Sequence, residues 1–197
     1  NGGTQASGND SRTNAASSNN TYVAWCWKAG GSSNTFNVDG TGYASASAAG
    51  ITDGNLPLTA ASINRKSGFS IVRYTGNGGS SQTLAHGLGI KPKIFMTKCI
   101  TDGSTNWDFH AFETVRMDLN NTVVNQNNSL TSFTNDYLTI ASGSDNRNGN
   151  AKGYVAYIWA EIPGYSKLGT FTGNGNSDGT FVYTGFRPSW VMTKTIS

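Results

Sequence analysis

Tyr154-Val155-Ala156-Tyr157-Ile158-Trp159 decides the fold class. A run of β-branched, aromatic and small apolar residues, with no helix-period stripe, reads as a strand. It has a near copy upstream, Tyr22-Val23-Ala24-Trp25-Cys26-Trp27. Side chains alternate along a strand, so Val23, Trp25 and Trp27 share one face, and Val155, Tyr157 and Trp159 share the equivalent face. That face keeps its bulk in both copies. It is therefore expected to turn toward the core, or to form one half of a two-sided burial.

Working outward from this strand, the chain repeats itself. Ser7-Gly8-Asn9-Asp10-Ser11-Arg12 precedes the first copy, and Ser142-Gly143-Ser144-Asp145-Asn146-Arg147 precedes the second. Gly68-Phe69-Ser70-Ile71-Val72-Arg73-Tyr74-Thr75-Gly76-Asn77-Gly78 returns as Lys167-Leu168-Gly169-Thr170-Phe171-Thr172-Gly173-Asn174-Gly175. Each is followed by a Gly-x-x-Pro turn (Gly89 to Pro92, Gly185 to Pro188) and a strand ending in Met-Thr-Lys. Tyr154 lies 132 residues after Tyr22, whereas Gly173 lies 97 after Gly76 and Pro188 lies 96 after Pro92. The difference is an insertion over 31–67, rich in Gly, Ser and Ala and without strong periodicity.

This organisation predicts a β-sandwich domain over 1–163, holding the first repeat unit and its insertion. The start of a second unit follows over 164–197, packed on the first or exchanged with a neighbour. The repeat is cut at both ends, which reads as part of a longer array. Gly76, Asn77, Gly78, Gly89 and Pro92, with Gly173, Asn174, Gly175, Gly185 and Pro188, are read as structural turns. The Gly-Asn-Gly phrases suit tight hairpins, as do Asp39-Gly40, Asp53-Gly54, Asp102-Gly103 and Asp178-Gly179.

Composition agrees. Of 197 residues 13% are charged, about half the usual share, and 25 are Gly. A coiled coil is excluded because Leu, Glu and Lys are scarce and no heptad runs on. No apolar stretch approaches the roughly 20 residues of a membrane helix, and a net charge of +3 is too weak and scattered for nucleic acid. Strands are expected at 21–28, 69–75, 93–99, 107–113, 137–141, 153–161, 168–172, 180–184 and 189–195. Helical colour is confined to 56–66 and 111–120, the latter helix or strand. The architecture expected is all-β, an antiparallel, jelly-roll-like sandwich with an internal repeat.

Chemistry-bearing residues are few. Cys26 corresponds to Ile158 and Cys99 to Thr195, so neither position demands sulfur; both read as packed thiols. His86 corresponds to Val182 and reads as a turn-proximal histidine bonded locally. No metal-ligand spacing appears around His86 or His110, and the Asp-Gly pairs lack calcium-loop spacing. Glu113 and Glu161 are the only glutamates, and no carboxylate pair, nucleophile elbow or phosphate loop is evident. No catalytic residue, metal or cofactor is expected. Trp107-Asp108-Phe109-His110 is the one binding candidate. There Trp107 would offer an aromatic plate, with Asp108 and His110 the hydrogen bonds for a glycan. The alternative is plain packing, with Trp107 and Phe109 inward and Asp108 and His110 outward.

These phrases resemble a repeat domain of unknown function from tail-fibre, appendage and other virion structural proteins of marine tailed phages. The residues that carry the likeness are Tyr22 to Trp27, Gly68 to Gly78, His86 to Lys93, Ile94 to Lys98, and Pro163 to Pro188. The likeness covers most of 7–31 and 66–197, and the insertion only loosely. It implies a virion structural or host-attachment role and supplies no catalytic residue. The implied partners are further copies of the chain or other virion proteins, with a host surface glycan as the second reading. The implied place is the virion exterior, or a cell surface in the alternative. A glycan depolymerase and a cellular filament or adhesin subunit stand behind these. Specificity is expected in the loops 31–67, 101–106 and 120–136.

Overall fold

A computed structural model describes residues 21, 24, 26–112, 115–117, 130–140 and 145–193. The expected all-β sandwich is present. Its strands are β1 (Phe36–Val38), β2 (Thr41–Tyr43), β3 (Leu58–Asn64), β4 (Phe69–Thr75), β5 (Gln82–Ala85), β6 (Ile94–Cys99), β7 (Asp108–Ala111), β8 (Val115–Met117), β9 (Leu130–Phe133), β10 (Tyr137–Ile140) and β11 (Gly153–Trp159). One layer has eight strands in the order β2-β1-β3-β4-β11-β6-β7-β8, and the other has three, β5-β10-β9. All ladders are antiparallel except β1 on β3.

β11 is the centre of the large sheet, flanked by β4 and β6. Its inner face carries Tyr154, Ala156 and Ile158, all fully buried. They join Val72, Tyr74 and Phe95 of the large sheet and Leu84, Leu138 and Ile140 of the small one in a single core. Of the two readings of the bulky face the core-facing one is corrected: Val155, Tyr157 and Trp159 point away from the core and are half-buried, which fits one half of a two-sided burial. The sequence favoured them because they are larger than Ala156. Pleat phase is set by the partners, and Val72 and Thr97 stand opposite Ala156.

The insertion 31–67 is also corrected. It supplies β1, β2 and β3, with Phe36, Val38, Ala61 and Ile63 buried. It forms strands at one end of the large sheet rather than a loop, and the helical colour of 56–66 gives way to β3. The Asp39-Gly40 turn does close a two-residue hairpin, with φ of 52° and 92°, as such a turn requires. Gly76-Asn77-Gly78 is not a hairpin, because it carries the chain from β4 in one sheet to β5 in the other. It clasps the fully buried Asn148. Asn77 N–H donates to Asn148 Oδ1 (3.0 Å), and Asn148 Nδ2 donates to Asn77 Oδ1 (3.2 Å) and Gly79 O (2.8 Å).

Three further expectations differ. Residues 168–172 and 180–184, and 189–193 of the expected 189–195, form no strand, and no described strand pairs with them. Of 21–28, the described residues are not in a strand; Tyr22, Val23 and Trp25 lie outside the described residues, as do 194–197. Cys99 is buried as expected, but Cys26 is exposed, and both are free thiols.

Candidate functional site

The glycan candidate is split by the pleat of β7. His110 and Asp108 stand opposite Phe95 and Thr97 of β6, on the core side. Asp108 is fully buried and His110 nearly so. Arg147, itself buried, donates from Nη1 to Asp108 Oδ2 at 2.5 Å, and His110 Nε2 lies 3.1 Å from the same oxygen. Both expectations for this strand are thereby corrected, since Asp108 and His110 face neither a sugar nor solvent. A buried carboxylate needs such a counter-charge, because desolvating it alone is costly. Nothing local to Trp107–His110 signals Arg147, which is 39 residues away.

Trp107 stays on the outer face, 37% exposed, with its ring 6.2 Å from Tyr157. Tyr157 leads to Trp159 (6.3 Å), Trp159 to Phe69 (5.0 Å), and Trp27 stands edge-on to Trp159 (5.8 Å). The outer face is thus an aromatic row over β4 and β11, flanked by Ile94 and Met96 of β6. Sequence reasoning missed it by assigning these rings to the core.

The remaining polar sites hold the scaffold. Lys152 Nζ bonds Asp102 (2.7 Å) and Asp145 (3.1 Å), tying the 101–106 loop to the segment before β11. The Asp102 bond raises Lys152 above the usual lysine range, and Lys152 holds the Asp102 carboxyl well below the usual carboxylate range. Tyr74 is pushed far up by burial, and burial lifts Tyr154 to about 12. His86 is fully buried, accepting from Leu88 N–H at Nδ1 (3.2 Å) with Nε2 3.3 Å from Thr134 O. Burial lowers its pKa to about 4, so the ring is neutral near pH 7.

Among the described residues, one depression lined by Ile51, Arg65 and Asp136 holds about 60 Å³ and another lined by Arg73, Ile100 and Tyr154 about 200 Å³, each below the roughly 300–1,000 Å³ of typical ligand sites. Among the described residues, no group of three or more His, Cys, Asp and Glu side chains is placed to hold a metal ion. None of their helices is long and apolar enough to cross a membrane.

Among the described residues, most of the exposed large apolar side chains lie in the second repeat copy. Its turns are folded as in the first: Gly68 and Gly164, Gly78 and Gly175, and Gly89 and Gly185 share left-handed φ values of 63° and 74°, 71° and 71°, and 72° and 80°. Asn77 Oδ1 accepts from Gly79 N–H (3.0 Å), and Asn174 Oδ1 accepts from Asn176 N–H (3.1 Å). Yet Phe171, Phe181, Tyr183, Val191 and Met192 are all more than half exposed. The repeat itself was the signal that identifies these residues.

Fold and surface together define a charge-poor β-sandwich carrying an open second copy of its own strand sequence. The chain matches, over residues 1–197, the family described as a domain of unknown function (DUF7483), and it belongs to that family. Neither a curated protein nor a solved structure matches it.

Proposed function

We propose that this chain is a non-enzymatic structural module of a virion, a tail-fibre or appendage component. It acts by homo-oligomeric contact and by presenting a rigid surface for host attachment. One observation carries the reading. Phe171, Phe181 and Val191 occupy the repeat positions of Tyr74, Ala85 and Phe95. The first set is 53%, 85% and 68% exposed, the second 1%, 3% and 0%. Large apolar side chains at core positions but open to water mark an association surface, and covering each one fully contributes about 1.5–3 kcal/mol. A neighbouring copy that supplies the missing layer would collect that stabilisation. The likeness to marine-phage virion domains supports the setting.

Sedimentation velocity tests it. The native chain should sediment as an oligomer at micromolar concentration, and the triple variant Phe171→Ser, Phe181→Ser, Val191→Ser as a folded monomer. A native chain that stays monomeric at every concentration contradicts the proposal.

A second reading, a glycan-binding module, is favoured by Trp107 and Tyr157 on the outer face. Trp107→Ala should then abolish a glycan-array signal without changing the oligomer; no signal from the native chain rejects it.

A further inference from the structure

Residues 164–193 repeat β4, the turn to β5, and β6, but not the strand that separates β4 from β6 in the large sheet. In the first unit that strand is β11, and its near copy in sequence is the segment that ends at Trp27. The ladder between β11 and β6 places Trp159 opposite Ile94, Ile158 opposite Phe95 and Ala156 opposite Thr97. Carried through the repeat, the same register places Trp27 opposite Trp190, Cys26 opposite Val191 and Ala24 opposite Thr193.

The structure brings one of these pairs together. The Trp27 and Trp190 rings are 5.8 Å apart at 83°, although the residues lie at opposite ends of the chain. Trp27 is also 5.8 Å from Trp159 and 6.3 Å from Phe69. It therefore sits between the outer face of the first unit and the β6-like segment of the second. Lys93 reaches the same region, bonding Leu168 O (3.3 Å) and Glu161 (3.2 Å). The 164–193 segment is thus held against the outer face beside the segment that carries its missing strand sequence.

We infer that the chain itself completes its second unit. Cys26 and Trp27, which stand outside every ladder of the structure, take the central place between the β4-like and β6-like segments, in the register that pairs Cys26 with Val191. The occupant is this chain's own segment because the contact between Trp27 and Trp190 is made within one chain. Trp190 and Met192 then turn toward the aromatic row. Val191 and Phe171 turn away from it, onto the face proposed above to bind a second copy. The inference rests on that proposal's reading of 164–193 as an open repeat unit, and it names the strand that enters the unit.

A cysteine scan tests the register. Directly opposed residues on antiparallel strands have Cβ atoms about 4.5–5.5 Å apart, within reach of a disulfide, whereas a diagonal pair some 7–8 Å apart is not. Val191 is exposed, so Val191→Cys leaves the core intact. Cys99 is buried and serves as an internal control. Under mild oxidation with diamide, Val191→Cys should give one intrachain disulfide to Cys26, seen as a faster band on non-reducing gels and as a linked peptide by mass spectrometry. Thr193→Cys, diagonal to Cys26, should remain at least tenfold less linked. No linkage at 191, equal linkage at 191 and 193, or linkage between chains each overturns the inference. Sedimentation of the native chain is read alongside. Oligomer without the bond rejects the inference alone, and monomer with the bond rejects only the assembly proposal.

Discussion

Tyr74 and Tyr154, directly opposed on the neighbouring strands β4 and β11, stack ring on ring, with centroids 5.1 Å apart and planes within 17°, both fully buried. Their hydroxyls reach one turn. Tyr74 Oη donates to Arg147 O (2.6 Å), and Tyr154 Oη donates to Asp145 O (2.7 Å) while accepting from Gly149 N–H (2.7 Å). The pair thus joins the core to the segment that carries Arg147 and Asn148.

Tyr154→Phe keeps the stack and deletes both hydroxyl bonds, leaving a backbone N–H and a carbonyl without their partner. The expected cost is about 1–3 kcal/mol, read as a lower urea midpoint at unchanged slope. A loss below 0.5 kcal/mol on the order-of-magnitude scale of single hydrogen bonds would mean that the turn holds itself.

Asp108→Ala removes the carboxylate that faces Arg147 inside the sandwich. Breaking a buried pair from one side typically costs about 3–5 kcal/mol, so this variant should be among the least stable. Joint replacement, Asp108→Leu with Arg147→Met, should recover most of the loss because no charge is left buried. The check is thermal unfolding of both variants. Equal stability of the single and double variants would show that charge burial is not the cause.

His86 predicts an acid weakness. Its folded pKa is about 4 against 6.5 when unfolded, because burial disfavours the charged ring more than the Thr134 carbonyl and nearby Asp136 favour it. Below pH 6.5 the unfolded chain binds a proton that the folded chain refuses. Stability is therefore full above pH 6.5, falls as pH drops toward 4, and loses about 3 kcal/mol in all. Protonation at Nδ1 would also break the bond from Leu88 N–H. His86→Gln should be less stable at pH 7 but lack this slope, measured by urea unfolding at several pH values between 4 and 7. A slope that persists in the variant would assign it to other groups.

Much of the fold was legible in the sequence. β4, β6, β7, β10 and β11 fall within or close to the stretches that alternation and β-branched content mark out. β1 and β3 were hidden in a Gly/Ser/Ala-rich segment, because Ala61, Ser62 and Asn64 carry little intrinsic strand signal and are strand through β3's pairing with β4 and β1. Periodicity shows that two faces of β11 differ. It cannot say which faces inward when the inner one holds Ala156 and the outer one Trp159, since that choice is made by residues far along the chain. The same limit hid the Asp108–Arg147 pair. The candidate site was legible in another way. Phe171 and Val191 are recognised as core-type residues only by comparison with Tyr74 and Phe95, and only the structure shows them uncovered.

The central claim is that the second repeat copy is an interface. A density map of the intact assembly tests it most directly, because it shows what covers Phe171, Phe181 and Val191. The account predicts that all three are buried beneath a neighbouring copy of the chain. Copies that meet through some other surface, with these three side chains still facing solvent, would contradict it.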